Sequence, residues 1–126
     1  MTSVAMMDLI QALQVAKGPS RELDLGIAIA IGFTRTDADP RENESDTHQW
    51  ISPTGEVVGK LPPYTKSLDH AYRLATSIAP SEDGGCGWEV GTASARLGRD
   101  PPSQAVTPAI ALCIAALRRK LAIEDK

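Results

Sequence analysis

Four stretches of the chain place apolar residues at the spacing of one helical face, over residues 3–16, 20–31, 67–78 and 107–121. The last is apolar on nearly every side: alanines fill the positions around a stripe formed by Ile110, Cys113, Ile114, Leu117 and Leu121. A helix of this kind is packed on more than one side. We therefore expect it to form the centre of the core, with Thr107 as its N-cap and Pro108 at its first position.

The other three helices have recognisable ends. Gly18 is expected to stop the first helix, and Pro19 suits the opening of the second, which Gly32 ends. The second stretch also alternates large and small residues, with Leu25, Ile27, Ile29 and Ile31 at every second position, as a strand can. Its Pro-Ser-Arg-Glu opening and its alanines favour a helix. The third helix begins at Thr65 or Ser67. Its expected buried stripe is Leu68, Ala71, Tyr72, Ala75 and Ile78.

Short stretches between these helices are typical of strands. Residues 48–52 and 56–58 flank a Pro-Thr-Gly turn and predict a hairpin, and residues 87–91 and 93–98 predict a meander. Residues 61–64, 81–85 and 99–105 are expected to be an extended linker, a turn-rich loop and a Pro-rich connection. The order predicts an α+β fold in which a small antiparallel sheet is flanked by helices, an αβα sandwich.

The segment between the second helix and the hairpin is acidic, and we expect a flexible surface loop at about residues 34–47 within a single domain spanning 1–126. Its Asp37-x-Asp39 start is like that of a calcium loop. However, Pro40 follows, the sixth position lacks glycine and the twelfth is His48, so we expect no metal there.

Composition excludes several classes of protein. A net charge of −3 and a pI of about 5.3 argue against broad binding to nucleic acid or to anionic membranes. No apolar run is long enough to span a bilayer, and the N-terminus does not read as a signal peptide. Cys86 and Cys113 lack the spacing of a zinc site or a disulfide framework. We expect a cytoplasmic protein with reduced cysteines and no cofactor.

Four segments together resemble the phage αβα-sandwich domain family of small phage and prophage proteins. They are Gly-Pro-Ser-Arg-Glu-Leu-Asp and its helix (18–31), Leu-Pro-Pro-Tyr-Thr-Lys-Ser-Leu-Asp-His-Ala (61–71), Trp-Glu-Val-Gly (88–91) and residues 105–118. The resemblance implies a helix-flanked antiparallel sheet and a phage or prophage protein in the bacterial host cell. It brings no catalytic residue with it. The acidic stretch 37–46 departs from the family pattern.

The sequence carries one candidate anion site, at Tyr64, Thr65, Lys66 and Ser67. Two hydroxyls, an ammonium group and free amides at a helix N-terminus beside an aromatic ring are the components of a phosphate site. The alternative is structural, with Thr65 or Ser67 capping the helix and Tyr64 packed in the core.

Aromatic residues on the predicted strands are a second candidate. Trp50 and Trp88 can stack on a base or sugar, with Arg96 or Arg73 as a phosphate partner. The alternative is that both tryptophans belong to the core.

Two further patterns favour no chemistry. Gly84-Gly85-Cys86-Gly87 resembles a phosphate loop only in composition and is expected to be a turn. Nothing near Cys86 or His70 orients or activates either as a catalytic pair. We therefore expect a protein that is not an enzyme.

The resemblance to phage proteins implies two functions. The first, by analogy with other small phage proteins, is a binding protein that sequesters a small nucleotide signal of the host's defence, such as a cyclic nucleotide. The second is a phage structural or protein–protein interaction module. A homodimer or higher homo-oligomer is expected for both, because a small sheet hides its edges by symmetric association.

Overall fold

The computed structural model describes residues 3–35 and 49–124. Its elements in chain order are α1 (Ser3–Val15), α2 (Arg21–Ile31), β1 (Thr34–Arg35), β2 (Trp50–Ile51), β3 (Val57–Val58), α3 (Leu68–Ile78), β4 (Gly84–Glu89), β5 (Thr92–Leu97), β6 (Ser103–Ala105) and α4 (Pro108–Glu124). The predicted α+β class is confirmed, with two small antiparallel sheets of three strands.

Helix α4 is the centre of the core, as its apolar pattern predicts. Every residue from Ala109 to Leu117 is buried. The helix packs against α1, α3 and the sheet formed by β4, β5 and β6. Its start is capped as expected, because the Ile110 N–H donates to Thr107 Oγ1 at 3.2 Å.

The larger sheet has the strand order β4-β5-β6 and is buried on one face only. Ala93, Ala95 and Leu97 of β5 pack towards α4, whereas the alternate residues Thr92 and Arg96 are exposed. Strand β6 lies where a Pro-rich connection was expected. Its Ser103 and Ala105 are buried. Two inward-facing residues in a strand of three are too few for the sequence pattern to predict it.

The smaller sheet has the order β1-β2-β3 and contains the predicted hairpin. The Ser52 N–H donates to the Glu56 carbonyl at 2.8 Å, which closes the turn between β2 and β3. Thr34 and Arg35 pair with β2 as strand β1 and so do not belong to the expected loop. The rest of that loop, with the residues of the calcium-like pattern, lies outside the described residues.

Helix ends follow local capping chemistry. Ser20 accepts the Leu23 N–H at the start of α2, and Gly32 ends it with a φ of 109° while its N–H reaches the carbonyls of Ala28 and Ile29. The helical interpretation of this stretch is therefore right and the strand alternative wrong. Helix α1 ends at Val15, and Gly18 does not adopt a positive φ, so the expected glycine stop is wrong.

Helix α3 buries a different stripe from the one predicted. Ser67 is its N-cap, and its buried residues are Ala71, Leu74 and Ala75. Leu68 and Tyr72 are 40% and 60% exposed, contrary to expectation. The physical reason is that α3 packs chiefly on α4, whereas Leu68 and Tyr72 border an open groove beside β4.

The cations near the end of α4 have partners within the chain. Arg119 bonds to Glu82 at 2.6 Å and to Asp100 at 2.9 Å, joining the loops on either side of the β4–β5 hairpin to α4. These bonds raise the pKa of Arg119 above its ordinary value. Arg118 donates to Ser103 Oγ, and Lys120 pairs with Glu124. No helix within residues 3–35 and 49–124 is both long and apolar enough to cross a membrane.

The central position of α4 gives a first prediction. Ile114 is fully buried, so Ile114→Ala should lower the free energy of unfolding by about 3 kcal/mol, through lost burial and the cavity left behind. Ile123 lies on the same helix but is 52% exposed, and Ile123→Ala should lower it by less than about 1 kcal/mol. Urea unfolding of both variants measures the difference, and equal losses would contradict a core centred on α4.

Candidate functional site

The predicted anion site at residues 64–67 is a structural junction. Thr65 is 1% exposed, and its hydroxyl and its N–H both donate to Asp24 Oδ1 at 2.8 Å. Its hydroxyl oxygen also accepts the Ser20 N–H at 2.9 Å. The O–H donor and one acceptor lone pair of this buried side chain are thus used within the protein.

Asp24 is the group that holds this junction together. Its carboxylate is 1% exposed and receives Thr65 on one oxygen and Arg21 Nη1, at 2.8 Å, on the other. Arg21 also donates to the Leu61 carbonyl at 3.0 Å. A buried carboxylate needs such charge-assisted partners, because desolvation without them is strongly unfavourable. The junction therefore fixes the start of α2 against the segment that leads into α3.

The other two polar residues of the predicted site play separate roles. Ser67 Oγ accepts the His70 N–H as the N-cap of α3 and lies 2.9 Å from His70 Nδ1. Lys66 is exposed. The structure therefore favours the structural alternative for Thr65 and Ser67.

Tyr64 is buried, yet it lines a cavity. It is 6% exposed and is one of the residues that line a groove of about 790 Å³. Burial, together with the charges of Cys113 and Asp24, raises the pKa of Tyr64 to about 12. The Cys113 thiol lies against the Tyr64 carbonyl, and burial, with Asp24 as a smaller cause, raises the pKa of that thiol to about 12 as well.

A groove of about 790 Å³ opens between the β2–β3 turn, one side of α3 and the end of α4, and we call it the hairpin groove. Its apolar lining comes from Ile31, Phe33, Pro53, Val58, Pro62, Leu74, Ile78 and Ile123. Its polar lining comes from Ser52, Thr54, Glu56, Tyr64, His70, Arg73, Ser77, Lys120 and Glu124. Apolar walls with a few polar groups are typical of a small-molecule site.

Charge in the hairpin groove is balanced. Arg73 and Lys120 bring two positive charges, and Glu56 and Glu124 bring two negative ones. Arg73 pairs with Asp69 at 3.1 Å, and Lys120 pairs with Glu124 at 2.9 Å. Both pairs are accessible to solvent, so each is weak. The groove can therefore offer a cation to an anionic group without breaking a buried interaction.

The aromatic candidates do not come together. Trp50 is half-buried on β2 and packs against the core, in keeping with the structural alternative. Trp88 is 71% exposed on β4, so the core alternative is wrong for it. Arg96 lies on the exposed face of β5, beside a shallow depression floored by Gly85 and Gly87. The predicted binding residues are thus distributed over separate surfaces.

The glycine-rich segment and the Cys86 and His70 side chains form no site together. Gly84 to Gly87 lie in strand β4, so the expected turn is wrong. Cys86 and His70 line different cavities and form no pair. Among residues 3–35 and 49–124, no group of three or more His, Cys, Asp or Glu side chains is arranged to hold a metal ion.

Sequence reasoning missed Asp24. An acidic residue in the first turn of a helix suits the helix dipole, so Asp24 does not stand out, although it precedes the buried Ile27 and Ala28 by three and four positions. An acidic residue on the apolar stripe of a helix, with arginine three residues earlier, signals a buried ion pair. The partner, Thr65, is not readable from sequence, because it comes from 41 residues away.

Comparisons with known proteins do not assign a family. No family model, no curated protein and no solved structure matches this chain. The resemblance to the phage family therefore stays a prediction.

Removing the Asp24 carboxylate should destabilise the protein strongly. Asp24→Ala leaves the Thr65 N–H without an acceptor in a buried site and leaves the Thr65 hydroxyl only its longer bond, of 3.2 Å, to the Ser20 carbonyl. We expect a loss of about 3 kcal/mol in the free energy of unfolding. Glu22→Ala is the matched control, because Glu22 lies two residues before Asp24 and is exposed. It should change the free energy of unfolding by less than about 0.5 kcal/mol. Urea unfolding compares the two. A near-neutral Asp24→Ala would show that the junction is not important for stability.

The raised pKa values predict alkaline sensitivity. Tyr64 and Cys113 have ordinary pKa values of 10.0 and 9.0, so the unfolded chain releases these protons at lower pH than the folded one. Their contribution to stability is complete below pH 9 and is lost as the pH rises towards 12. Tyr64→Phe should make the decline above pH 10 shallower in denaturant titrations at increasing pH. An unchanged slope would contradict this cause.

Proposed function

We propose that this chain is a non-enzymatic binding protein that holds a small ligand in the hairpin groove. The ligand has a flat or apolar body and an anionic group, as a nucleotide does. The observation that carries the proposal is the groove itself, of about 790 Å³, whose lining combines apolar residues, Tyr64 and an accessible arginine, Arg73. A volume of this size suits a nucleotide-sized molecule.

Arg73 is the residue we assign to the anionic group. Its side chain is 70% exposed, and its present partner Asp69 is 63% exposed, so water already competes for the pair. A phosphate accepts two parallel N–H bonds from a guanidinium group, as a carboxylate does, with more negative charge. His70 and Ser77, on the same helix, bring further hydrogen-bonding groups to the groove.

The resemblance to small phage proteins supports a more specific proposal. A phage protein that binds a nucleotide and has no catalytic centre can act by sequestration, and the ligand is then a cyclic nucleotide signal made by the host's defence. Support for this step comes from the quoted segments alone and is an argument by analogy.

Binding can be tested by calorimetry with a panel of cyclic nucleotides and ADP-ribose derivatives. One ligand should bind with measurable heat and raise the melting temperature. Arg73→Ala should weaken its binding about tenfold, because a charge-assisted pair with phosphate is lost. Arg99→Ala is the matched control, since Arg99 is exposed but does not line the groove, and should leave binding unchanged.

Two results would overturn the proposal. One is the absence of heat and of thermal stabilisation with every member of the panel at high concentration. The other is an equal loss of binding in Arg73→Ala and Arg99→Ala, which would place the ligand outside the hairpin groove.

A protein–protein interaction module is the second candidate function. The observation in its favour is strand β4, an exposed edge of the larger sheet. Exposed edges present unpaired backbone groups to another chain. Capture from infected cells of a stoichiometric protein partner, lost on substitution in β4, would favour this function over ligand binding.

A further inference from the structure

Strand β4 is an open edge without the usual protection. It pairs with β5 on one side, and three of its six residues are Gly84, Gly85 and Gly87. Neither lysine nor proline interrupts it, although these are common devices that keep edge strands from pairing. All of β4 except Cys86 is exposed, including a Trp88 side chain that is 71% accessible.

An apolar groove runs beside this edge, between β4 and α3, and we call it the edge groove. Its volume is about 710 Å³, and its apolar lining includes Leu68, Tyr72, Ala75, Cys86, Leu97 and Leu112. Leu68 and Tyr72 are the two residues of α3 that the helical pattern predicts to be buried and that the single chain leaves exposed. A further strand next to β4 would cover them.

The phase of the β4–β5 ladder shows which backbone groups are free to pair. The Gly98 N–H donates to the Asp83 carbonyl at 2.6 Å, directly before the first registered pair, Gly84 with Leu97. Hydrogen-bonded pairs alternate along an antiparallel ladder, so Gly85, Gly87 and Glu89 point their backbone groups towards β5. The groups of Gly84, Cys86 and Trp88 therefore point outwards.

We propose that two copies of this chain associate by antiparallel pairing of their β4 strands about a two-fold axis at Gly87. In this register Cys86 of one copy lies opposite Trp88 of the other, and each exchanges N–H···O=C bonds with its partner residue. The Gly87 residues face each other across the axis without side chains. The two sheets become one continuous six-stranded sheet.

The side chains of this register are complementary on the helix side of the sheet. Trp88 shares that face with Cys86, since the two are registered with Ala93 and Ala95, which are buried against α4. Opposite Cys86, the Trp88 of the second copy is at the mouth of the edge groove, where it meets apolar lining and a sulfur atom. Trp88 and the apolar lining of the edge groove, which the single chain leaves exposed, are thus covered together.

Charge is complementary on the open face. Glu89 of the second copy lies opposite Gly85, and Arg96 is the registered neighbour of Gly85 on its other side. A Cβ at Gly85 would meet nothing within 4 Å, so the side chains of Arg96 and of Glu89 from the second copy can form an ion pair above this glycine. The two-fold axis makes this ion pair twice. The occupant of the edge is therefore a second copy, because the chain itself carries both the tryptophan and the glutamate that the edge accepts.

Cysteine cross-linking tests the register. In a Cys86→Ala background, Gly87→Cys should form an intermolecular disulfide under mild oxidation, because directly opposed residues of a non-hydrogen-bonded pair lie about 4.5 Å apart at Cα. Gly85→Cys is the matched control: the two copies of residue 85 are offset by about 13 Å along the strand, too far for a disulfide. Both sites have open space for a side chain, and Cys113 is fully buried.

Charge exchange tests the same interface without cysteine. Glu89→Arg and Arg96→Glu should each raise the dimer dissociation constant about tenfold, measured by sedimentation equilibrium, because two ion pairs are lost per dimer. The double variant should recover most of the affinity. Circular dichroism checks that each variant keeps its fold.

Three outcomes would overturn the proposal. A strictly monomeric chain excludes it outright. Cross-linking at residue 85 but not at 87, or at neither, excludes the register. If the double variant loses as much dimer affinity as the two single variants together, the Glu89–Arg96 pair is excluded. The assignment of this edge to a second copy is then excluded as well.

Discussion

Burial of the segment Ala109 to Leu117 of helix α4 on all its sides is the constraint on which the rest of the structure depends. Nine consecutive residues of it are buried, so no two-sided arrangement would suffice. Burying a large aliphatic side chain contributes about 1.5–3 kcal/mol, and α4 has several. The chain meets this demand with α1 and α3 beside the helix and a sheet against it. Even the three-residue β6 contributes to that cover, because its alternate residues are buried.

Much of this architecture is readable from sequence because its signals are local. Thr107 starts α4 and Gly32 ends α2 through bonds to residues three or four positions away, and the patterns predict both correctly. Failures occur where the deciding partner is distant. Leu68 and Tyr72 match a buried stripe, but burial depends on what lies beside α3. In the same way, the Tyr64–Ser67 segment has the composition of an anion site, and only the fold brings Asp24 to it.

The molecule separates its two candidate binding surfaces onto the two sides of α3. The side with His70 and Arg73 borders the hairpin groove, whereas the side with Leu68 and Tyr72 borders the edge groove. A ligand in the first and a second chain in the second would therefore contact the same helix without competing for space. The Asp24–Thr65 junction precedes this helix and fixes the segment from which it starts. The buried carboxylate of Asp24 therefore helps to fix the start of α3, the helix that borders both grooves.

The place of α4 in the chain has a consequence for synthesis. Among the described residues, helices α1, α2 and α3 and strands β1 to β6 precede it, so they leave the ribosome before the element that most of them pack against. A helix covered on one side only gains little stability by itself. The apolar surfaces that pack on α4 therefore stay uncovered until residues 108–124 have been synthesised.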